Sequence, residues 1–291
     1  MTTVVRRVGR PRSAFTRILI LAGLLAAVIY IAAVVWLISQ ETAIVFQAGQ
    51  PLGSLRPRAP FTQVDVPRSD GLHQFAWVMP HEGSADGRPW ILFLHGNAST
   101  IASRLNILHY EQLRALGLNV LAPEYRGYAG LDGVPTEGAL DADARAAYDY
   151  ARSQLHLPAE RIILYGWSLG SAVAVDLASK VDEAAVIVEG APASVVAIGQ
   201  QQYPLFPIRL LMRNPFESIV KVDRVRSPML FLHSPEDAVI PIAEGRRLYD
   251  AARPPKQFVE VRGGHVYASE RDGAAFFGAI GTFLRAQHLL P

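Results

Sequence analysis

The stretch Leu164-Tyr165-Gly166-Trp167-Ser168-Leu169-Gly170 contains the pattern G-x-S-x-G, with Ser168 at its centre. The apolar run from Arg161 to Tyr165 is typical of a buried strand, and the Ala- and Val-rich run from Ser171 to Lys180 predicts a helix. The pattern requires this context, because the serine then lies on a cramped turn that presents its hydroxyl above the sheet. The stretch therefore predicts an α/β fold with Ser168 as a nucleophile.

The surroundings of Ser168 favour this chemistry. Gly166 and Gly170 flank the serine, and a side chain at either position would clash in so tight a turn. The helix N-terminus beside the serine has free N–H groups, which stabilise developing negative charge. The same pattern also arises by chance in unrelated proteins, so the prediction depends on partners elsewhere in the chain.

Composition excludes several classes of protein. The chain of 291 residues has 28 basic and 26 acidic residues, and five of the basic ones precede Ile18, namely Arg6, Arg7, Arg10, Arg12 and Arg17. The rest of the chain carries 23 basic and 26 acidic residues and offers no basic surface for nucleic acid. The absence of cysteine excludes disulfides, thiolate metal sites and a cysteine nucleophile.

The run from Ile18 to Ile38 predicts a transmembrane helix. Its 21 residues are apolar and uncharged, and at about 1.5 Å per residue they span a hydrocarbon core of roughly 30 Å. The alternatives are a buried core helix, which would show a polar face, and a cleaved signal peptide, which would be shorter and end at small residues. We therefore predict an uncleaved anchor at residues 18–38.

The charges on either side of this run predict its orientation. Residues 1–17 form a basic arm, whereas the twenty residues after Ile38 contain only Arg56 and Arg58 as basic residues. Basic residues beside a membrane span tend to remain in the cytoplasm. We therefore predict a single-pass membrane protein with a cytoplasmic N-terminus and a domain outside the cytoplasm, in the periplasm or a lumen. A domain retained in the cytoplasm is the alternative.

The composition of residues 39–60, with Gly and Pro throughout, predicts a linker. Within it, the apolar residues 43–46 either lie on the membrane interface or dock on the domain. Residues 61–291 predict one domain, which begins with a hairpin at 61–66 and 73–79. Strands then alternate with helices, which is typical of a mostly parallel sheet with helices on both faces. The predicted strands are 90–94, 118–123, 161–165, 184–188, 228–233 and 257–261, and the predicted helices are 98–116, 137–155, 171–180, 242–252 and 268–288.

The alternation breaks at residues 189–223, where prolines interrupt short helical fragments. Sheets of this type bind ligands at the carboxyl ends of their strands. We predict a small cap insertion over the substrate site, the alternative being a crossover that merely covers the sheet. Its apolar side chains are Tyr203, Leu205, Phe206, Ile208, Leu210, Leu211 and Met212.

A serine hydroxyl is a weak nucleophile until a positioned base, usually a histidine held by a carboxylate, takes its proton. His265 follows two glycines after the last predicted strand, and Asp237 follows the strand before it. Both therefore fall on the same sheet edge as Ser168, in the chain order Ser, Asp, His. Three other acids are rivals to Asp237: Glu236, the closest, and Asp223 and Asp250.

The stretch Leu94-His95-Gly96-Asn97-Ala98 ends a predicted buried strand at a tight turn. The backbone N–H groups of Asn97 and of Leu169, the residue after Ser168, are predicted to bind the oxyanion of the reaction. We predict that His95 is structural and holds this loop by hydrogen bonds. This machinery needs no metal and no organic cofactor.

Five stretches match one family in its own order: His95-Gly96-Asn97-Ala98, Tyr125-Arg126-Gly127-Tyr128, Gly166-Trp167-Ser168-Leu169-Gly170, Asp237 with Pro241, and Gly264-His265. The chain resembles α/β-hydrolase fold serine hydrolases, of the branch that contains Bem46-like proteins and the membrane-anchored ABHD13-type enzymes. The resemblance covers roughly residues 61–284. It implies the α/β-hydrolase fold, a triad of Ser168, Asp237 and His265, and backbone oxyanion donors.

The sequence therefore predicts a membrane-anchored serine hydrolase that cleaves carboxylic esters, lipid-like or acyl, through an acyl-enzyme. Its expected partners are the ester substrate and, through residues 18–38, the bilayer, with no nucleic acid. An acyl-protein thioesterase or an amidase would use the same triad. A non-catalytic binding or scaffold member of the fold is a further alternative, but such a protein would typically lack a triad residue.

Overall fold

The computed structural model describes residues 14–83 and 87–291, and the chain divides into two compact units between Glu41 and Thr42. The first unit contains helix α1, Ala14–Ser39, whose 26 residues include none that is buried. Its most apolar window has a mean hydropathy of 3.0, so by length and composition the helix is able to cross a membrane. A signal sequence meets the same criteria. Except for Arg17, the basic residues of the predicted arm lie outside the described part of the chain.

The second unit is built on a sheet of eight strands within the described residues. The strands are β1 Thr62–Asp65, β2 Phe75–Met79, β3 Trp90–Leu94, β4 Asn119–Pro123, β5 Ile162–Trp167, β6 Ala185–Glu189, β7 Met229–His233 and β8 Lys256–Glu260. Their spatial order is β1-β2-β4-β3-β5-β6-β7-β8. The pairs β1–β2 and β2–β4 are antiparallel, and all other neighbours are parallel. The prediction of a mostly parallel sheet is confirmed.

Helices cover both faces of this sheet. Alternate residues of β5 enter two separate apolar layers, because successive side chains of a strand point to opposite faces. Ile162 and Leu164 pack with one layer, whereas Ile163 and Tyr165 pack with the other. The helices are α2 Glu41–Phe46, α3 Arg104–Ala115, α4 Glu137–Ser153, α5 Leu169–Ala178, α6 Val195–Gln202, α7 Ile208–Leu211, α8 Ile242–Ala251, α9 Gly264–Arg271 and α10 Gly273–Ala286, with short 3-10 turns at Ala159–Arg161, Ser218–Val220 and Val222–Arg224.

Two predicted helices differ from the observed ones. Helix α3 begins at Arg104 rather than at residue 98, because backbone N–H groups of the preceding loop bind acceptors outside the helix. The Ile101 N–H, for example, donates to Glu124 Oε2. The predicted helix 268–288 is interrupted at Asp272, whose carboxylate accepts a hydrogen bond from the Arg262 N–H. The predicted N-cap of α4 is confirmed, since the Thr136 side chain accepts from the Ala139 N–H.

The segment between β6 and β7 forms a lobe that is closed at its base. The Val195 N–H donates to the Phe216 carbonyl and the Val196 N–H to the Pro215 carbonyl. Glu137 of α4 ties the base to the fold, because its carboxylate accepts from the Phe216 N–H at 2.7 Å. Strand β6 runs to Glu189, so the lobe begins one residue later than predicted. Two of its apolar side chains face solvent: Leu205 is 82% exposed and Leu210 is 85% exposed.

The segment Thr42–Leu52, which we call the strap, lies in the predicted linker but belongs to the second unit and packs on the rest of it. The Phe46 ring is completely buried and meets the Phe216 ring edge-on, with centroids 5.9 Å apart. Farther along the strap, the Gly49 N–H donates to the Gly127 carbonyl. The apolar residues 43–46 thus end in a ring that docks on the domain.

Asp143 of α4 holds the loop after β4 in place. Its fully buried carboxylate lies 2.6 Å from Arg126 Nη2 and accepts from the Arg126 backbone N–H at 2.9 Å. Arg68 Nη1 lies 2.6 Å from the same carboxylate, as an ion pair without hydrogen-bond alignment. Both guanidinium groups are largely buried and also pair with Asp70, which is 40% exposed, so Asp143 is the buried carboxylate of a four-residue charge network.

We predict that Asp143→Ala lowers the free energy of unfolding by about 2–4 kcal/mol, because it leaves the Arg126 N–H without its acceptor and the two buried guanidinium groups with only the more exposed Asp70 as a partner. The measurement is urea denaturation of the full chain in detergent. The matched control on the same helix is Asp149→Ala, which removes an exposed pair with Arg145 and should cost no more than about 1 kcal/mol. Equal losses for the two variants would contradict the prediction.

Candidate active site

Ser168 lies on a sharp turn between β5 and α5. Its backbone has φ 54° and ψ −120°, a conformation that L-residues rarely adopt and that is typical of functional positions. The turn is held from below, because the Ser168 N–H donates to the Glu189 carbonyl at 2.8 Å. The hydroxyl is thus presented at the carboxyl end of the central strand.

The two flanking glycines are required by close packing. A Cβ on Gly166 would lie 2.3 Å from the carbonyl oxygen of Gly170. A Cβ on Gly170 would lie 2.1 Å from the carbonyl oxygen of Leu94, on the neighbouring strand β3. Backbone atoms cannot move away as a flexible side chain does, so no other residue type fits either position.

Ser168, His265 and Asp237 form one continuous chain of hydrogen bonds. Ser168 Oγ lies 2.7 Å from His265 Nε2, and His265 Nδ1 lies 2.7 Å from Asp237 Oδ2. The three residues follow β5, β8 and β7, whose carboxyl ends meet at one edge of the parallel sheet. The sequence-predicted serine, histidine and acid are therefore brought together.

Of the four candidate acids, Asp237 contacts His265. Glu236 instead accepts from the Gly263 N–H at 3.2 Å and so holds the loop that precedes His265. The sequence predicted His265 in a loop, but the residue lies in the first turn of α9. The Gly264 N–H donates to Ser234 Oγ at 3.0 Å, which fixes the start of that helix. The other two candidates do not contact the histidine: Asp223 lies in a 3-10 turn and Asp250 lies in α8.

The surroundings of Asp237 stabilise its ionised form. Burial by itself raises the pKa of this carboxyl, but hydrogen bonding to His233 and His265 outweighs burial, and the net pKa lies well below its usual value. Asp237 Oδ1 also accepts from the N–H groups of Val239 and Ile240 at 2.9 and 2.8 Å. His233, which sequence reasoning did not single out, lies with Nε2 3.4 Å from Asp237 Oδ2.

The loop after β3 passes directly beside the serine. A Cβ on Gly96 would lie 3.1 Å from Ser168 Cβ and 3.8 Å from Ser168 Oγ. The next residue is Asn97, one of the two predicted oxyanion donors, and the other, Leu169, begins α5. Among the hydrogen bonds of residues 14–83 and 87–291, neither of these two backbone N–H groups acts as a donor. Neither N–H group is therefore committed to an acceptor within the described residues.

His95 holds this loop and does not contact Ser168 Oγ. Its Nε2 lies 2.8 Å from Glu124 Oε1, and its Nδ1 lies 2.7 Å from the Gly96 carbonyl. Glu124 also accepts from the Tyr125 and Ile101 N–H groups, so one buried carboxylate orders two loops. The observed contacts are those of the predicted structural histidine.

A second buried pair beneath the serine was missed from the sequence. Glu189 lies at the end of β6, and its Oε2 contacts His109 Nε2 at 3.0 Å and accepts from the Tyr165 hydroxyl at 2.6 Å. The backbone carbonyl of the same residue accepts from Ser168. A carboxylate at the end of an apolar run was the available signal. Within the described ranges, no group of three His, Asp or Glu side chains is arranged to hold a metal ion.

The strap contacts the loop after β3, and sequence reasoning missed this contact. Asn97 Nδ2 donates to the Val45 carbonyl at 2.9 Å, and the Ala98 N–H donates to the Phe46 carbonyl at 3.3 Å. The Tyr128 hydroxyl donates to the same Phe46 carbonyl at 2.6 Å. The apolar residues 43–46 in a segment rich in Gly and Pro were the signal for a docked segment, but their contact could not be read from spacing.

Comparison with known proteins agrees with this architecture. The family model described as the Alpha/beta hydrolase family matches residues 91–270. An uncharacterised protein of Mycobacterium tuberculosis is 35% identical over 247 residues, which cover 84% of this chain and 87% of the relative. The α/β-hydrolase domain-containing protein WAV2 of Arabidopsis thaliana is 28% identical over 232 residues, covering 74% of this chain and 75% of the relative.

Among solved structures, an esterase of Pyrococcus furiosus has the same fold. It superposes with a TM-score of 0.69 at 19% sequence identity, covering 82% of this chain and 97% of the esterase. The predicted fold class is confirmed by this likeness, by the family match and by the strand order described above. The chain belongs to the α/β-hydrolase family.

Proposed function

We propose that this protein is a serine hydrolase that cleaves carboxylic esters of lipid-like or other acyl groups. One observation carries the proposal: the hydrogen-bonded chain from Ser168 Oγ through His265 to Asp237 at the carboxyl edge of the sheet. Free N–H groups beside the serine supply the second requirement, a site for the oxyanion. The esterase structures that share the fold support the choice of bond.

The reaction proceeds in two halves. Ser168 Oγ attacks the ester carbonyl carbon while His265 Nε2 takes the hydroxyl proton, and the N–H groups of Asn97 and Leu169 bind the resulting oxyanion. The tetrahedral intermediate collapses, and His265 passes the proton to the departing alcohol. Water then attacks the acyl-enzyme by the same steps. Asp237 holds the Nδ1–H of His265 and stabilises the imidazolium that forms in each half.

The acid assignment follows from position. Asp237 is buried, hydrogen-bonded on both oxygens and kept ionised, as a carboxylate that supports an imidazolium must be. Thioester or amide cleavage would use the same residues, and a non-catalytic scaffold would not need them. Membership of the Bem46-like and ABHD13-type branch remains part of the proposal and rests on the matching stretches in the sequence.

We propose further that α1 anchors the enzyme in a membrane. The helix is long enough to span a bilayer, and its residues 18–38 are uncharged and apolar. The five arginines before Ile18 favour a cytoplasmic N-terminus and a domain outside the cytoplasm, in the periplasm or a lumen. An ester substrate with an apolar acyl chain would be concentrated at the same membrane.

The first prediction concerns the nucleophile and the acid. Ser168→Ala should abolish ester hydrolysis and labelling by a fluorophosphonate, because no other group replaces the attacking oxygen. Asp237→Asn should lower kcat by about 10⁴, since it favours the wrong tautomer of His265. The measurements are hydrolysis of p-nitrophenyl esters and gel fluorescence of the labelled chain.

Glu236→Gln is the matched control, because it changes the neighbouring carboxylate, which bonds to the Gly263 N–H and not to the histidine. It should retain labelling and most of its turnover. Normal hydrolysis by the Ser168 variant would overturn the mechanism. An active Asp237 variant beside an inactive Glu236 variant would reassign only the acid.

The second prediction concerns membrane topology. Alkaline phosphatase fused after Pro291 should be active, and green fluorescent protein fused at the same point should be dark, because the domain is exported and the arm stays inside. Replacing the five arginines of the arm with glutamine should weaken this asymmetry. A dark phosphatase fusion with a bright fluorescent fusion would place the domain in the cytoplasm.

The third prediction concerns pH. The fold lowers the pKa of Asp237 below its ordinary value of 3.8, so in acid the native state binds fewer protons than the unfolded state. This stabilisation is fully present above about pH 4 and is lost as the pH falls toward the folded-state pKa. The difference in free energy of unfolding between wild type and Asp237→Asn should therefore shrink as the pH falls below about 4. A difference that grows in acid would contradict the assignment.

A further inference from the structure

The strap contacts the loop that carries the proposed oxyanion donor at two consecutive residues. The Asn97 side chain donates to the Val45 carbonyl at 2.9 Å, and the Ala98 backbone N–H donates to the Phe46 carbonyl at 3.3 Å. Ala98 has φ 53°, in the left-handed region that costs energy for a residue with a side chain. Contacts at the Asn97 side chain and at the N–H of the Asn97–Ala98 peptide therefore hold a strained backbone in one orientation.

The Phe46 carbonyl is itself fixed by two further contacts, the Tyr128 hydroxyl and the packing of the Phe46 ring. The Tyr128 hydroxyl donates to it at 2.6 Å, and Tyr128 is completely buried with its ring edge-on to His95 at 5.4 Å between centroids. The Phe46 ring packs against Phe216 at the base of the lobe. Because the Phe46 ring and Tyr128 are both completely buried, the Phe46 carbonyl is a rigid acceptor for the Ala98 N–H.

The rest of the loop is anchored before and after Asn97. His95 secures the start through Glu124, and the Ser99 hydroxyl donates back to the Gly96 carbonyl at 3.1 Å. His95 Nδ1 also contacts the Gly96 carbonyl at 2.7 Å, so these residues hold the carbonyl end of the Gly96–Asn97 peptide. The strap holds the other side of Asn97, through its side chain and through the peptide that follows it. An oxyanion donor acts only when it is aimed at the developing charge.

We propose that the strap is a positioning element of the active site: the Val45 and Phe46 carbonyls, the latter held by Tyr128, aim the Asn97 N–H at the oxyanion. The inference rests on the proposed hydrolase function and adds to it residues outside the triad. The strap follows α1 by only a few residues, so the active site includes the segment that leaves the predicted anchor. Phe46 and Tyr128 touch neither substrate nor triad and act through Asn97.

The test compares two tyrosines of the same loop. Tyr128→Phe removes the hydroxyl that binds the Phe46 carbonyl, whereas Tyr125→Phe removes an equally buried hydroxyl that has no hydrogen-bond partner. Both rings contact His95, so the two variants lose one oxygen each in similar surroundings. The full chain is assayed in detergent with a p-nitrophenyl ester, and the active fraction is titrated with a fluorophosphonate.

Complete loss of an oxyanion donor costs about 10²–10³ in rate, and a donor that is only misaimed costs less. Tyr128→Phe should therefore lower kcat per active site about tenfold, with KM unchanged within about twofold. Affinity for a trifluoromethyl ketone, whose adduct with Ser168 carries the oxyanion, should fall by the same factor as kcat/KM. Tyr125→Phe should match wild type in all of these.

Asn97→Ala is the second variant, chosen because the side chain is only half-buried and the backbone N–H is kept. It should lower kcat and ketone affinity in the same way, even where Tyr128→Phe yields too little folded protein. Equal kcat for the Tyr128, Asn97 and wild-type chains would overturn the inference while the hydrolase function stands. A wild-type chain that neither turns over esters nor takes up the fluorophosphonate would remove the function, and the inference with it.

Discussion

Helix α5 begins in direct backbone contact with the neighbouring strand, and the arrangement around the serine depends on this contact. The carbonyl of Leu94 lies so close to Gly170 that no side chain fits between them. Strands β3 and β5 pair in register up to Leu94 and Gly166, so the chain that leaves β3 must turn immediately beside Ser168. A single steric constraint therefore brings the nucleophile and the loop of the proposed oxyanion donor to the same place, although they are more than sixty residues apart in sequence.

Beneath and beside this contact, buried histidine–glutamate pairs replace apolar packing. His95 with Glu124 orders the loop after β3, and His109 with Glu189 supports the turn from below. Buried polar networks cost desolvation, but when their members are paired they hold one geometry better than apolar side chains of similar size. In this protein the two pairs lie beside the turn that contains Ser168, whose backbone is strained.

Much of the fold was predictable because its signals are local. The apolar strands, the Thr136 cap and the glycines around Ser168 each reflect interactions within a few residues, and the chain order of Ser168, Asp237 and His265 places all three at one edge. The predicted start of α3 and the predicted unbroken helix 268–288 were wrong, because hydrogen bonds to distant residues override helix propensity. Glu124 binds the backbone before α3, and Asp272 binds the Arg262 N–H. The docking of Phe46 on Phe216 joins residues 170 apart in sequence, and no periodicity reports such a contact.

The lobe between β6 and β7 has a narrow base. Two backbone hydrogen bonds join Val195 and Val196 to residues 215 and 216, and Glu137 ties this base to α4. The chain from 197 to 214 is therefore a loop whose two ends are held together. The entropy cost of a closed loop rises only slowly with its length. Insertions or deletions within the lobe would therefore leave the core and the hydrogen-bonded triad undisturbed. The length and sequence of the lobe can then change independently of Ser168, Asp237 and His265.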